Sequence, residues 1–269
     1  FSTRKGTSAK KDYKLLQQRE KWINVERLVM FYENKKILIT GASSGLGREI
    51  VKQFAKINCE IFFTARNHTA LKGLFDELKN SKSPSLLSYK AADLTNLKEV
   101  DNLIKSVRDS LGHVDVLINS AGVFPVNQIS NVPLTELQHC FSINVVAPFV
   151  LTQEFCSDMK QNQLGRIINI GSSSAYGGAP KTSVYCASKH ALLGLTRSLH
   201  KELKEHNIRV FCVSPGSIQT PMGRKVEALG QKYETFIDPE EIAKYIIQAT
   251  SYNTQMISEE IRLNRMEVQ

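Results

Sequence analysis

Two side chains able to move and stabilise a proton stand four residues apart in Tyr185-Cys186-Ala187-Ser188-Lys189, at the start of a long stretch with helical spacing. Positions i and i+4 share one helix face, so the phenol and the ammonium project together. A free phenol ionises near pH 10, too high for proton exchange near neutrality. A neighbouring cation favours the phenolate and lowers that value. Tyr185 so placed is a general acid for carbonyl reduction and a general base for the reverse. Ser172, thirteen residues upstream at the end of a short apolar run, supplies a hydroxyl able to hold and orient a substrate carbonyl. Alone, Tyr-x-x-x-Lys is also an ordinary surface pair on many helices. Its weight comes from the elements around it.

A second cluster is Thr40-Gly41-Ala42-Ser43-Ser44-Gly45-Leu46-Gly47, between an apolar run and a helical pattern. Glycines there permit a tight turn and let backbone approach a pyrophosphate, and the helix N-terminus adds unpaired N–H groups and a favourable dipole. The strand–turn–helix context gives this glycine spacing its meaning. At the end of the next apolar run stands Thr64-Ala65-Arg66-Asn67. NAD sites usually place an acid there for the ribose 2′-hydroxyl, whereas an Arg accommodates a 2′-phosphate. With no acid present, Arg66 predicts NADP(H), with NAD(H) the disfavoured alternative. The bland reading of Arg66 is a solvated surface cation.

The positioning elements alternate. Apolar runs at Lys36–Thr40, Glu60–Ala65, Ser85–Ala91, Val114–Ile118, Arg166–Ile170, Ile208–Val213 and Ile261–Asn264 read as strands. Helical patterns fall at Gly45–Ile57, 67–79, 95–111, Pro133–Gln161, Ser183–His206 and 239–250. Continuous apolar strands bracketed by helices predict an α/β fold: a doubly wound parallel sheet of about seven strands, helices on both faces, with ligands beyond the C-terminal strand ends.

These residues together resemble the short-chain dehydrogenase/reductase family over about residues 35–265. Thr40–Gly47 matches its cofactor turn, and Asp93 in Ala92-Asp93-Leu94 its adenine-contacting acid. Asn119-Ser120-Ala121-Gly122 matches the N-N-A-G stretch, with Ser120 replacing the second Asn. Asn144 matches the active-site Asn of the long helix. Pro215-Gly216-Ser217-Ile218-Gln219-Thr220 matches the P-G-x-x-x-T loop that holds the nicotinamide amide. The resemblance implies that Tyr185 donates the proton, Lys189 tunes it and binds the nicotinamide ribose, Ser172 fixes the substrate oxygen and Asn144 anchors a water chain. Its thirteen-residue offset selects Ser172 over Ser173 and Ser174. Pro148 lacks an N–H, so the Asn144 carbonyl loses its helical donor and is free for that water. The family also implies a homodimer or homotetramer and needs no metal. The short segment Pro221–Ile237, followed by Asp238-Pro239-Glu240-Glu241, looks more like 3-hydroxy acid dehydrogenases and related ketone reductases than 3-ketoacyl-carrier-protein reductases. Met222 and Tyr233 are candidate pocket residues there, or plain lid contacts.

The chain has 269 residues and a net charge of +9, of which residues 1–34 supply +4. That balance suits anionic small molecules, and with no nucleic-acid reader motif present it does not predict a nucleic-acid binder. Five cysteines without a Cys-x-x-Cys argue for buried reduced thiols over zinc or disulfides. No apolar run approaches the roughly 20 residues of a membrane span. We expect two units, a basic N-terminal extension over 1–34 and a single catalytic domain over 35–269. Residues 1–11 have the composition of a solvated linker or the end of an organelle-targeting peptide, and 13–32 suggest a short helix or two. A cytoplasmic protein is expected, or a mitochondrial one if 1–11 is such a remnant. Beside the reductase reading stand a 3-ketoacyl thioester reductase and a catalytically silent NADP-binding regulator.

Overall fold

The computed structural model describes residues 30–266. Most of the predicted N-terminal helical region lies outside them; residues 30–32 are helical and lead into the first strand. The elements are β1 (Lys36–Thr40), α1 (Gly45–Phe54), β2 (Glu60–Ala65), α2 (His68–Asn80), β3 (Leu86–Ala91), α3 (Leu97–Leu111), β4 (Val116–Asn119), α4 (Leu134–Phe141), α5 (Ala147–Gln161), β5 (Gly165–Ile170), α6 (Ser183–Leu203), β6 (Ile208–Pro215), α7 (Gly223–Glu227), α8 (Pro239–Ser251) and β7 (Glu260–Leu263). The strands form one seven-stranded sheet in the order β3-β2-β1-β4-β5-β6-β7, every neighbouring pair parallel. The predicted α/β architecture is therefore present, and the strand order reverses between β1 and β4.

Alternation along β1 sends side chains into two layers. Ile37 and Ile39 join Ile50, Phe54, Leu71, Leu74, Ile242 and Ile246 beneath α1, α2 and α8. Leu38 joins Leu103, Val107, Leu151, Phe155 and Met159 beneath α3 and α5. With apolar groups on both faces, the central strands show the uninterrupted runs that made them legible. Helix starts are fixed by side-chain caps: Asn67 Oδ1 accepts from Ala70 N at 2.9 Å, Asn96 Oδ1 from Lys98 N at 3.1 Å and Asp238 Oδ1 from Glu240 N at 2.7 Å. Each satisfies a donor that a helix end leaves over.

The long helix expected over Pro133–Gln161 is not one α-helix. Between α4 and α5 the backbone widens into a π turn over Ser142–Val146, with Ala147 N–H donating to the Ser142 carbonyl. Pro148 explains the site of this departure, because it cannot donate into the preceding turn. Among the described residues, the run Leu134–Gln161 is the one long and apolar enough to cross a membrane by length and composition. Within it, Leu151, Phe155 and Met159 are fully buried against the sheet.

At the N-terminal edge of the sheet, Arg166 on β5 stands in register with Arg209 on β6. Arg166 is fully buried. Its guanidinium donates to the carbonyls of Gly165, Thr250 and Tyr252 and to Asn253 Oδ1, and lies 4.5 Å from the centre of the Phe31 ring. Arg209 donates to the carbonyls of Tyr252, Thr254 and Met256. Together they pin the connection between α8 and β7 beneath the strands whose opposite ends carry the site.

Candidate active site

A cleft of about 930 Å³ opens at the C-terminal strand ends, over the switch between β1 and β4. Its floor is the glycine turn after β1. Gly41 (φ +74°) and Gly45 (φ +56°) hold left-handed backbone, which costs other residues roughly 1–2 kcal/mol. A Cβ on Gly41 would meet Ala121 N at 2.6 Å, and one on Gly47 would meet the Gly41 carbonyl oxygen at 2.3 Å. These contacts let the turn fold against the start of α1. Ser44, the N-cap of α1, makes no side-chain capping bond, so the first N–H groups keep their capacity for an anion in the cleft.

The cleft wall contains Gly41, Ser43, Ser44, Gly45, Leu46, Gly47, Arg66, Asn67, Asp93, Leu94, Ala121, Gly122, Ser172, Tyr185, Lys189, Pro215, Gly216, Ile218 and Thr220 of the residues singled out from sequence. Arg66 takes part in no hydrogen bond or ion pair among the described residues, and its charge acts on Asp93. The Asp93 carboxylate accepts from Thr95 N and Oγ1, both at 2.9 Å. The Thr95 N–H foremost holds it below the usual carboxylate range. The glycine turn, the uncapped helix and this uncommitted guanidinium fit a phosphorylated dinucleotide.

Three of the expected site residues are not in the wall. Thr40 Oγ1 accepts from Ser120 N and Ala121 N, each at 3.1 Å, tying β1 to the loop after β4. Asn119 is buried and donates to Asn169 Oδ1 at 2.8 Å on β5. Asn144 is buried in the π turn; its Oδ1 accepts from Val123 N at 2.9 Å and its Nδ2 donates to Val123 O at 3.1 Å and Ser188 Oγ at 2.9 Å. All three reach the cleft through the backbone they hold. Met222 lines the cleft, whereas Tyr233 does not: its ring lies beneath the Arg224 guanidinium and packs on Phe236 at 5.3 Å.

Tyr185 and Lys189 project from α6 into the inner end of the cleft, both more than nine-tenths buried. The Lys189 Nζ stands 5.7 Å from the Tyr185 ring centre and donates to the Ile170 carbonyl at 2.7 Å. The Ser172 hydroxyl faces the Tyr185 side chain closely enough to favour its ionised form. The expectation of a phenol made more acidic by its neighbour needs correction. Burial dominates and pushes Tyr185 up to about 12, with the Ser172 hydroxyl acting in the opposite sense. Burial likewise pushes Lys189 down to about 8. In this state the phenol is a held proton donor, not a phenolate.

Sequence reasoning missed several groups. Phe124 packs edge-on against Tyr185 at 4.6 Å. Its signal was an aromatic two residues beyond Ala121-Gly122. Ser188 bridges the Asn144 side chain to the Tyr185 carbonyl, to which it donates at 2.7 Å. Val226, Leu229 and Gln231 also line the cleft, from a segment whose sequence carries no motif. Among the described residues no group of His, Cys, Asp and Glu is arranged to hold a metal ion.

Known proteins resemble the chain throughout this region. The family model for short chain dehydrogenase matches residues 35–229. The 3-oxoacyl-[acyl-carrier-protein] reductase FabG of Rickettsia bellii is 32% identical over 228 residues, covering 82% of this chain and 91% of that protein. The dehydrogenase/reductase SDR family member 7B of Bos taurus is also 32% identical, over 82% of this chain and 67% of its own. Among solved structures, a short-chain type dehydrogenase/reductase from Mycobacterium marinum superimposes with a TM-score of 0.79 at 28% identity, covering 88% and 97% of the two chains. A metagenomic short-chain oxidoreductase in complex with NADP gives 0.76 at 27% identity, covering 88% and 100%. With its sheet, its glycine turn and its Tyr–Lys pair in one cleft, the chain belongs to the short-chain dehydrogenase/reductase family of oxidoreductases.

Proposed function

We propose that the chain is an NADPH-dependent carbonyl reductase in which Tyr185 is the proton donor. The observation that carries this reading is the convergence of Tyr185, Ser172 and Lys189 at the inner end of the cleft whose floor is the glycine turn. When bound, the dinucleotide supplies the hydride. The turn over Gly41–Gly47 and the α1 N-terminus would hold its pyrophosphate, Arg66 its 2′-phosphate, Asp93 and Leu94 its adenine, and Pro215–Thr220 its carboxamide. Ser172 Oγ and the Tyr185 hydroxyl fix a substrate carbonyl oxygen from two sides. As charge develops on that oxygen, Tyr185 releases its proton to it, and the Lys189 ammonium stabilises the phenolate left behind. Asn144, clamped to Val123 and Ser188, keeps the loop after β4 and helix α6 at one spacing during that transfer. NADP and NADPH are bound by two of the structurally similar proteins.

Among the described residues, Arg66 and Lys189 are the only Lys or Arg side chains in the cleft wall. A free 3-oxo acid would place its carboxylate beside the carbonyl with no counter-ion at the substrate end, which counts against the 3-hydroxy acid reading. Neutral ketones and 3-ketoacyl thioesters fit better, and the similarity to FabG supports the thioester as the second reading. Val146 at the end of the π turn and Phe149 at the start of α5, 44% and 46% exposed, support self-association through the long helices as a homodimer or homotetramer. We place the domain in the cytoplasm. The test is NADPH oxidation by the purified chain over a panel of ketones, aldehydes and 3-oxoacyl thioesters, with NADH as control. Tyr185→Phe should lose at least a thousandfold in kcat while NADPH binding persists. Turnover retained by that variant would remove Tyr185 from the reaction, and silence with every carbonyl would favour a regulator.

A further inference from the structure

Next to the catalytic cleft, and sharing Leu229 with it, lies a second cavity of about 640 Å³ between the loop after β4 and the lid helix α7. Its wall carries two ammonium groups, Lys181 and Lys225, and one carboxylate, Glu136. The carboxylate is already committed, both oxygens accepting from Asn127 Nδ2 at 2.9 and 3.0 Å. Neither lysine forms an ion pair among the described residues. Lys225 donates to the Phe124 carbonyl at 3.4 Å, the residue whose ring packs on Tyr185 at 4.6 Å. Lys181 sits at φ +64°, a left-handed conformation that favours Gly or Asn over a long side chain. Its carbonyl accepts from Asn127 N at 2.9 Å, so the strained backbone is locked into the cavity wall. On the side toward the lysines the cleft wall is apolar, with Phe124, Val226 and Leu229, and Leu229 borders both cavities.

We propose that this second cavity is an anion subsite for the far end of the substrate. The substrate is then a carbonyl compound with an apolar body and a distal carboxylate or phosphate, the anion held by Lys181 and Lys225. The contacts through Phe124 put that anion within roughly 15 Å of the phenol, a spacer of about ten bonds from the reacting carbon. A flexible, solvent-facing ammonium holds either anion as a point charge. This inference rests on the carbonyl-reductase reading of the cleft and narrows its substrate class.

The experiment compares matched methyl ketones of graded chain length, each bearing either a terminal carboxylate or its methyl ester. A parallel pair bears a terminal phosphate monoester or the free alcohol, and separates the two anion sources. At a spacer of about ten bonds the charged member should have roughly tenfold higher kcat/KM, expressed mainly in KM, because the contact is remote from the reacting atoms. The advantage should fade at much shorter spacers. In Lys181→Gly/Lys225→Gln the charged-to-neutral ratio should fall to near one, and Lys225→Arg should keep it. Lys181→Gly alone suits the left-handed backbone, so a lowered ratio in that variant reports lost charge and not lost fold. A ratio near one in the parent enzyme, a ratio unchanged in the double variant, or turnover confined to short ketones overturns the subsite while leaving the reductase intact. Absence of NADPH oxidation with every member, short ketones included, refutes the reductase reading itself.

Discussion

Replacing Arg66 separates the two dinucleotides more directly than any other change. Arg66 directly follows β2 at the cleft rim, makes no hydrogen bond or ion pair among the described residues, and has Asp93 as its electrostatic neighbour. Its guanidinium is therefore free to take a 2′-phosphate without first giving up a partner. A charge-assisted hydrogen bond contributes about 1.5–3 kcal/mol, and the solvent-facing position argues for the lower half of that range. Arg66→Ala should then lower kcat/KM for NADPH about 10- to 45-fold and leave NADH within about twofold. Arg66→Asp adds repulsion between carboxylate and phosphate, about 1 kcal/mol at 4 Å even in water. It also offers an acceptor to the NADH ribose. The NADPH-to-NADH ratio should fall by about two to three orders of magnitude in that variant. Steady-state kinetics with one carbonyl substrate and both reduced cofactors measure this. A ratio unchanged in Arg66→Ala would refute the phosphate assignment. An equal loss for both cofactors would instead show that Arg66 stacks on adenine, a part common to the two.

Four other outcomes follow from the geometry. Lys189 is pushed down to about 8 by burial, so reduction should hold a plateau below pH 7 and decline above about 8 as the ammonium is lost; a profile flat to pH 9.5 would contradict its role. The same displacement means that the unfolded chain binds more protons between about pH 8 and 10.5. The stability of the cofactor-free protein relative to Lys189→Met should accordingly rise with pH across that window in urea titrations. Gly47→Ala sets a methyl 2.3 Å from the Gly41 carbonyl and should cost about 1–3 kcal/mol of stability together with most NADPH affinity, read by calorimetry. Phe149→Lys, on the exposed face of α5, should convert an oligomer to monomer in light scattering; an unchanged mass would move the interface elsewhere.

The sheet was legible because parallel strands buried on both faces cannot alternate. Runs such as Lys36–Thr40 and Glu60–Ala65 announced themselves, and the observed strands repeat those bounds. Motif spacing revealed the cleft for a similar reason, since a left-handed turn against a helix start admits few residues besides glycine. The π turn was hidden. Cys140, Asn144, Ala147, Leu151 and Phe155 keep a helical burial pattern through it, and Pro148 alone marked the break. Asn119 and Thr40 looked like cleft residues because their neighbours are; only three dimensions show that their side chains tie β4 and β1 to adjoining segments. The part of the cleft wall at Val226, Leu229 and Gln231 was opaque, because those residues act through the path of a lid and not through any spacing.

The two arginines under β5 and β6 make a foundation of unusual chemistry. Arg166 is driven down to about 10 by its burial and by Arg209 beside it, and the oxygens holding both belong to amides. Amide dipoles have no proton to gain on acidification. Carboxylate-held contacts such as Arg197–Glu260 do depend on pH, although Arg197 holds the Glu260 carboxyl below its usual range, so that only strong acid discharges it. The contacts of these two arginines should therefore outlast the carboxylate ion pairs as pH falls.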